Sequence, residues 1–156
     1  MKKLEIEFEQ VVKQYKNTIY TVCFMFSKGS REVNDLFQDV LVNLWKGFDT
    51  FKGESNIGTW IWRVSLNTCI SSDRKKKIVS VPLIMGIDLF EDRDEDTTQI
   101  KMLYNRISRL KHFDRAIVLL WLENFSYEEI AAIVGISVKN VSVRLFRIKE
   151  ELKKNV

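Results

Sequence analysis

The stretch that decides the fold is residues 126–152, which read SYEEIAAIVGISVKNVSVRLFRIKEEL. Ser126 and Glu129 have the spacing of a capping box, in which each side chain accepts a hydrogen bond from the other residue's backbone amide. Gly135 supplies a turn that requires a positive φ, and Ser137 is a favourable N-cap for a second helix. These signals predict a short helix, a tight turn and a longer helix, which is the helix-turn-helix arrangement.

The second helix of this motif has two distinct faces. Its predicted buried stripe repeats at three- and four-residue steps and consists of Val141, Leu145, Ile148 and Leu152. Its outer positions carry polar, basic and small side chains suited to the edges and phosphates of a DNA major groove. They are Ser137, Lys139, Asn140, Ser142, Val143, Arg144 and Arg147. The alternative is an ordinary helical hairpin with a solvated basic face.

The rest of the chain is also predicted to be helical. One proline and six glycines are too few for a turn-rich β fold. Apolar residues at helical spacing predict a first helix with a stripe from Phe8 to Phe26, which Gly29 can end. They predict a second helix through Val33, Leu36, Phe37, Val40, Leu41, Leu44, Trp45 and Phe48. Further helices are predicted over about 59–77, 100–110 and 113–122. The expected fold is therefore all-α, with two small helical domains.

The predicted third helix carries a second candidate nucleic-acid surface. Its residues Trp60, Arg63, Asn67, Ser71 and Arg74 follow each other at steps of three or four and therefore share one face. Cations suit phosphates, Asn and Arg suit base edges, and Trp stacks on an exposed base. Ile57, Ile61, Val64 and Thr68 are predicted as its buried stripe. A solvated face with a partly buried Trp explains the same pattern.

The flanks of that helix extend the candidate surface. Lys75, Lys76 and Lys77 continue its charge beyond Arg74. The small polar loop formed by Gly53, Glu54, Ser55 and Asn56 precedes it and is suited to hold an unstacked base. A simple turn is the alternative for the loop, and a basic helix end that complements the helix dipole is the alternative for the lysines.

The net charge of +4 hides an uneven distribution. Residues 1–77 carry +4, residues 78–99 carry −5 and residues 100–156 carry +5. The middle segment includes the acidic run 91–96, and like charges in series favour an extended chain. We therefore predict domains over 1–77 and 100–156 joined by an acidic linker over 78–99. The linker is either a solvated tether or a competitor of DNA for a basic face.

Several classes of function are disfavoured by composition. Two cysteines and one histidine cannot form a four-ligand zinc site, and both cysteines are predicted to be buried reduced thiols. The chain has no glycine-rich phosphate loop and His112 has no motif partner, so no catalytic residue, metal or cofactor is predicted. The longest apolar run, 116–122, is too short to span a bilayer. We expect a cytoplasmic protein that does not insert into membranes.

The whole pattern resembles the bacterial RNA polymerase sigma factors of the extracytoplasmic-function group. The segment DLFQDV at 35–40, followed by Leu44 and Trp45, resembles the family's second conserved helix. TWIWRV at 59–64, followed by Asn67, resembles its minus-ten segment, and 126–152 resembles its fourth region. Ser71 stands where the family often has Asp, and Lys111 follows Leu110 where the family usually has Pro.

The resemblance implies a set of partners and contact residues. The second helix would bind the polymerase β′ clamp helices through Asp35, Leu36, Gln38, Asp39, Val42 and Trp45. The loop and the third helix would melt and read the minus-ten element. The recognition helix would read the minus-thirty-five element, the β flap would be a further polymerase contact, and an anti-sigma factor is an expected partner.

Two other functions compete with this interpretation. A helix-turn-helix regulator would bind operator DNA without recruiting polymerase, but it would need a sensor or dimer surface in the first domain. A nucleic-acid enzyme would need paired acids or a histidine within a motif. The Trp–Arg–Asn stripe and the Asp35–Gln38–Asp39 patch favour a sigma factor, whose mechanism is binding.

Overall fold

The computed structural model describes residues 3–27, 30–51, 56–75 and 95–154. Within these ranges the chain forms seven helices and no strand. They are α1 (Lys3–Phe26), α2 (Ser30–Phe48), α3 (Ile57–Lys75), α4 (Glu95–Ser108), α5 (His112–Leu122), α6 (Tyr127–Val134) and α7 (Val138–Lys154). The chain divides into two compact units, Met1–Lys77 and Ile78–Val156. The prediction of an all-α fold with two small helical domains is therefore confirmed.

The N-terminal unit is a bundle in which α1, α2 and α3 each pack against the other two. The predicted apolar stripe of α2 supplies much of its core, because Val33, Leu36, Val40 and Leu44 are all buried. Ile19 and Val22 of α1 are buried in the same bundle. Helical periodicity placed these residues correctly because one continuous face of α2 is covered by its neighbours.

The core stripe predicted for α3 was wrong except at Ile61. The buried side chains are Ile61, Trp62, Ser65, Leu66, Cys69 and Ile70. Val64 and Thr68 are only half-buried. Thr68 lies at the border of the bundle, where its Oγ1 accepts a hydrogen bond from Asn43 Nδ2 at 2.9 Å. Because α3 packs against both α1 and α2, its buried face is rotated from the face predicted by apolar spacing within α3.

The two cysteines meet inside this bundle. Cys23 of α1 and Cys69 of α3 are both buried and neither forms a disulfide. A hydrogen bond with Cys23, and then burial, raise the pKa of the Cys69 thiol far above its ordinary value. The thiol is therefore neutral and unreactive, and the prediction of buried reduced thiols is confirmed.

The C-terminal unit is organised around α5. Residues 116–120 of this helix are all buried, and α4, α6 and α7 pack against it. Helix α4 begins at Glu95, so 95–99 are helical and the linker predicted over 78–99 was too long at this end. Residues 95–99 read EDTTQ and contain no apolar residue, so apolar periodicity gave no sign of a helix there. Residues 78–94 lie outside the described part of the chain.

The predicted helix-turn-helix is confirmed in its local detail. Glu129 N donates to Ser126 Oγ at 3.1 Å, and Ser126 N donates to Glu129 Oε1 at 2.9 Å, which completes the capping box. Gly135 ends α6 in the left-handed conformation with φ 85°. Asn140 N then donates to Ser137 Oγ at 3.1 Å, which caps α7. Two side-chain caps and one left-handed glycine thus define where α6 begins, where it ends and where α7 begins.

Gly135 offers a direct test of this turn. We expect Gly135→Ala to lower the free energy of unfolding of the C-terminal unit by about 1–2 kcal/mol, because a Cβ is unfavourable in the left-handed region. No steric clash would contribute, since nothing lies within 4 Å of the added atom. Thermal unfolding followed by circular dichroism measures the change. Gly135→Asn should cost less, and a Gly135→Ala protein as stable as the parent would contradict the assigned conformation.

Within the described ranges, none of the helices is both long enough and apolar enough to cross a membrane.

Candidate nucleic-acid interface

The outer face of α7 is largely exposed. Val141, Leu145 and Ile148 are buried, which turns the opposite side of the helix towards solvent. Most predicted minus-thirty-five contacts lie on that side. The exposed ones are Ser137, Lys139, Asn140, Ser142, Val143 and Arg147. Near the start of the helix these side chains include hydrogen-bond donors and acceptors, and Arg147 adds a cation further along.

Arg144 differs from the other predicted contacts because it is tied to α5. Its Nη1 lies 3.2 Å from Asp114 Oδ1 and forms a half-buried ion pair with it. The pair lines a groove of about 350 Å³ with Lys111, His112, Phe113 and Arg147. Because Arg144 neutralises Asp114, the groove keeps the positive charge of Lys111 and Arg147. A groove with this charge suits a phosphate group.

Phe146 belongs to this surface and was missed from the sequence. Its side chain is 68% exposed, whereas that of the preceding residue, Leu145, is buried. The next residue, Arg147, is exposed as well. An exposed phenylalanine can contact the methyl group of a thymine in the major groove. The sequence held a signal for it, because Phe146 is a large apolar residue that does not belong to the predicted buried stripe of α7.

Only some side chains of the predicted stripe on α3 are exposed to solvent. Asn67 and Ser71 are exposed, whereas Trp60 and Arg63 are half-buried. Arg74 and Lys75 lie in the last turn of α3, and their side chains are outside the described part of the structure. Glu54, Ser55, Lys76 and Lys77 are also outside the described residues. The described part of the stripe therefore places one aromatic, one cation and two polar groups along one side of the helix.

Asn56 has a structural role at the start of α3. Its Oδ1 accepts a hydrogen bond from Gly58 N at 2.7 Å, and its carbonyl accepts one from Trp60 N at 3.0 Å. The side chain thereby satisfies an amide that the first helical turn leaves without a partner. Asn56 is exposed while it makes these bonds. The two bonds hold it next to the first turn of α3.

Trp60 is packed against aromatic rings as well as facing the stripe. Its ring stacks on Phe51 with centroids 4.8 Å apart and an interplanar angle of 26°. Phe48 lies at 6.4 Å in a tilted arrangement. The indole is therefore packed against protein and is half-buried, so part of it stays accessible to solvent.

The predicted polymerase-binding residues of α2 form a mixed polar and apolar face. Asp35, Gln38 and Asp39 are exposed, and they lie on the same helix as the exposed Val42 and Trp45. Leu36 is a correction to this set. It is 2% exposed and lies in the bundle core, so it supports the face from inside and cannot touch a partner.

The arrangement matches known proteins in both units. The sequence model of the family Sigma-70 region 2 matches residues 11–78, and that of Sigma-70, region 4 matches residues 100–152. The chain belongs to the sigma-70 family. The region 2 match includes the α2 face and the α3 stripe, and the region 4 match includes the whole helix-turn-helix.

Curated relatives of the chain include sigma factors of the extracytoplasmic-function group, and a solved sigma factor shares its fold. RNA polymerase sigma factor YlaC of Bacillus subtilis is 29% identical, and the alignment covers 95% of this chain and 91% of that protein. ECF RNA polymerase sigma factor SigW of the same organism is 28% identical, with 96% and 88% covered. The sigma factor RpoE of Bartonella quintana, solved with the anti-sigma factor NepR, has the same fold, with a TM-score of 0.77, 21% identity and 95% of each chain covered. As a sigma factor, the protein directs RNA polymerase to begin transcription at specific promoters.

Arg147 tests the recognition surface of this sigma factor. We expect Arg147→Gln to weaken binding to minus-thirty-five duplex DNA by about 1–3 kcal/mol if its guanidinium contacts a base. If it contacts a phosphate, the slope of log affinity against log salt should fall by about 0.9. Fluorescence anisotropy at several salt concentrations separates the two. Lys154→Gln removes the same charge from the end of α7 and should change neither quantity; an Arg147→Gln protein that behaves like it would contradict the assignment.

Proposed function

We propose that the two units of this sigma factor divide promoter recognition between them. Residues 1–77 bind polymerase core and the minus-ten element, residues 100–156 bind the minus-thirty-five element, and the intervening acidic segment joins them. The observation that carries this proposal is the pair of surfaces on α3 and α7, which lie on separate units. Two surfaces joined by a linker can contact one DNA molecule at two separated places.

The polymerase contact is proposed for the exposed face of α2. Asp35, Gln38 and Asp39 offer acceptors and a donor for polar contacts, and Val42 and Trp45 offer apolar area beside them. This combination suits the β′ clamp helices. In protein interfaces, buried aromatic side chains commonly supply much of the binding free energy and the rim around them is polar. The β flap is the proposed polymerase contact of the C-terminal unit.

The proposed mechanism is binding without catalysis. The recognition helix holds upstream duplex, while the loop before α3 and the stripe on α3 receive bases of the non-template strand. Extruding a base costs stacking energy, which a pocket and an aromatic platform offset. Phosphate contacts supply affinity and base contacts supply promoter choice. The protein acts in the cytoplasm, together with polymerase, and an anti-sigma factor is its proposed regulator.

Trp60 separates promoter opening from duplex binding. We expect Trp60→Ala to reduce formation of the open complex about tenfold to a hundredfold, because stacking on one base contributes about 1–3 kcal/mol. Binding to minus-thirty-five duplex should not change, since that surface lies on the other unit. Fluorescence of 2-aminopurine in the minus-ten element reports opening, and Trp60→Phe should retain part of it. Loss of helical structure in Trp60→Ala would instead show that the ring serves packing alone.

Mapping transcription start sites after overproduction tests the proposed function in cells. New start sites should share two upstream motifs, one near minus ten and one near minus thirty-five. A variant with Asn140→Ala and Arg147→Ala should lose these start sites while being produced at the same level. Occupancy of DNA by the protein without any new start site would contradict the proposal and favour an operator-binding regulator.

A further inference from the structure

Five aromatic rings form a continuous cluster at one end of the N-terminal bundle. Phe8 of α1 makes edge contacts with two rings of α2, Trp45 at 5.1 Å and 64° and Phe48 at 5.2 Å and 67°. Phe48 and Phe51 then contact Trp60 of α3 at 6.4 Å and 4.8 Å. All four centroid distances fall in the range in which aromatic pairs attract beyond their simple burial.

The two ends of this ring cluster lie on surfaces that have different proposed partners. Trp45 is 42% exposed and belongs to the polymerase face of α2. Trp60 belongs to the promoter stripe of α3. Phe8 is the only ring of the described cluster that comes from α1, and it touches the polymerase end directly and the promoter end through Phe48.

The backbone around the ring cluster also constrains Trp60. A Cβ placed on Gly47 would lie 3.2 Å from Trp60 Cζ2, so the indole rests against the α2 backbone at that point. Phe51 N donates to the Gly47 carbonyl at 3.0 Å, so the backbone of the residue that stacks on Trp60 is bonded to the end of α2. Ring contacts and close backbone approach together hold the indole in one orientation.

We propose that Phe8, Phe48 and Phe51 are positioning residues for promoter opening. They hold the Trp60 ring ready for an extruded base and connect it by contact to the polymerase face at Trp45. A platform that is already ordered avoids the entropy cost of ordering a side chain when the base arrives. The inference rests on the proposed function, because it assigns a support to the residue that meets the base.

Replacing Phe8 tests the inference in the full-length chain with core polymerase. Phe8→Leu keeps apolar volume but removes two ring contacts, so we expect opening at saturating polymerase to fall about three- to tenfold. The readout is 2-aminopurine fluorescence in the minus-ten element. Affinity for minus-thirty-five duplex should stay unchanged, and affinity for core polymerase should fall by less than opening does. Phe8→Tyr keeps the ring and should retain opening.

The matched control removes a ring contact between the same two helices outside the ring cluster. Tyr20 of α1 contacts Phe37 of α2 with centroids 6.4 Å apart. Tyr20→Leu should therefore leave opening at the parent level. An equal fall in Tyr20→Leu and Phe8→Leu would overturn the inference, because general weakening of the α1–α2 contact would then explain both.

Gly47→Ala tests the same inference without removing any contact. Alanine has the higher helix propensity, so α2 should not be weakened, yet the added methyl group pushes on the Trp60 ring. We expect opening to fall in a protein whose melting temperature is unchanged or higher. If Phe8→Leu does not fold, Gly47→Ala alone tests whether the position of the Trp60 ring controls opening. Parent-level opening in Gly47→Ala would overturn the inference.

A double-mutant cycle distinguishes positioning from an independent effect. In a Trp60→Ala background, Phe8→Leu should cause no further loss of opening, because its effect passes through the missing ring. Additive losses, or a fall in polymerase affinity equal to the fall in opening, would overturn the inference. A parent chain that opens no promoter would overturn the proposed function itself, whereas normal opening in the parent and in both variants would overturn only the positioning role.

Discussion

Leu145→Ala is expected to lower the free energy of unfolding of the C-terminal unit by about 2–5 kcal/mol. The side chain is completely buried in α7, on the face that packs against α5 and α6. Truncation removes its apolar burial and leaves a cavity in a core that is small to begin with. Because this unit is a separate compact body, unfolding of the N-terminal unit should be unaffected.

The neighbouring residue supplies the control for this prediction. Phe146 is larger than Leu145 but 68% exposed, so Phe146→Ala should change stability by about 0.5 kcal/mol or less. Calorimetry, with anisotropy on minus-thirty-five duplex, should show Leu145→Ala losing both stability and DNA binding at elevated temperature. Phe146→Ala should keep its stability. The reverse order of destabilisation would show that the register of α7 is wrong.

Reversing the charge of Asp35 and Asp39 together is expected to weaken binding to polymerase core about a hundredfold or more. Both carboxylates are exposed on α2, and opposite charge placed against a surface complementary to them costs several kcal/mol. The double variant Asp35→Lys and Asp39→Lys should fold normally, since neither side chain is buried. Its binding to minus-thirty-five duplex should equal that of the parent.

A pair of substitutions on α1 controls for the change in net charge. Glu5 and Glu9 are also exposed, so reversing both makes the same change in charge on a different helix. Titration of labelled core polymerase with each protein measures the two affinities. Equal affinities for the two double variants would remove α2 from the polymerase interface and leave the proposed docking surface without support.

Much of the fold was predictable because its signals are local. The capping box at Ser126, the left-handed Gly135 and the cap at Ser137 each depend on residues within four positions of one another. Their geometry was therefore accessible from the sequence alone. The apolar stripe of α2 was equally clear, because a single side of that helix is covered.

The rest depended on contacts between distant parts of the chain. The buried face of α3 is set by the positions of α1 and α2, which apolar spacing within α3 does not report. Arg144 pairs with Asp114, thirty positions earlier, so no sequence pattern within α7 indicates this ion pair with α5. The ring cluster joins Phe8 to Trp60 through α2, and no local pattern connects them. Leu36 matched the polymerase motif but faces the core, because a motif does not separate contact residues from the residues that support them.

The most direct test of the central claim is transcription in a purified system. Core polymerase, a linear DNA that carries a start site mapped in cells, and the four nucleotides are combined with and without this protein. A run-off transcript of defined length should appear only when the protein is present, and it should be lost with Trp60→Ala. A protein that binds the same DNA in an anisotropy assay, yet neither associates with core polymerase nor yields the transcript, would contradict the account.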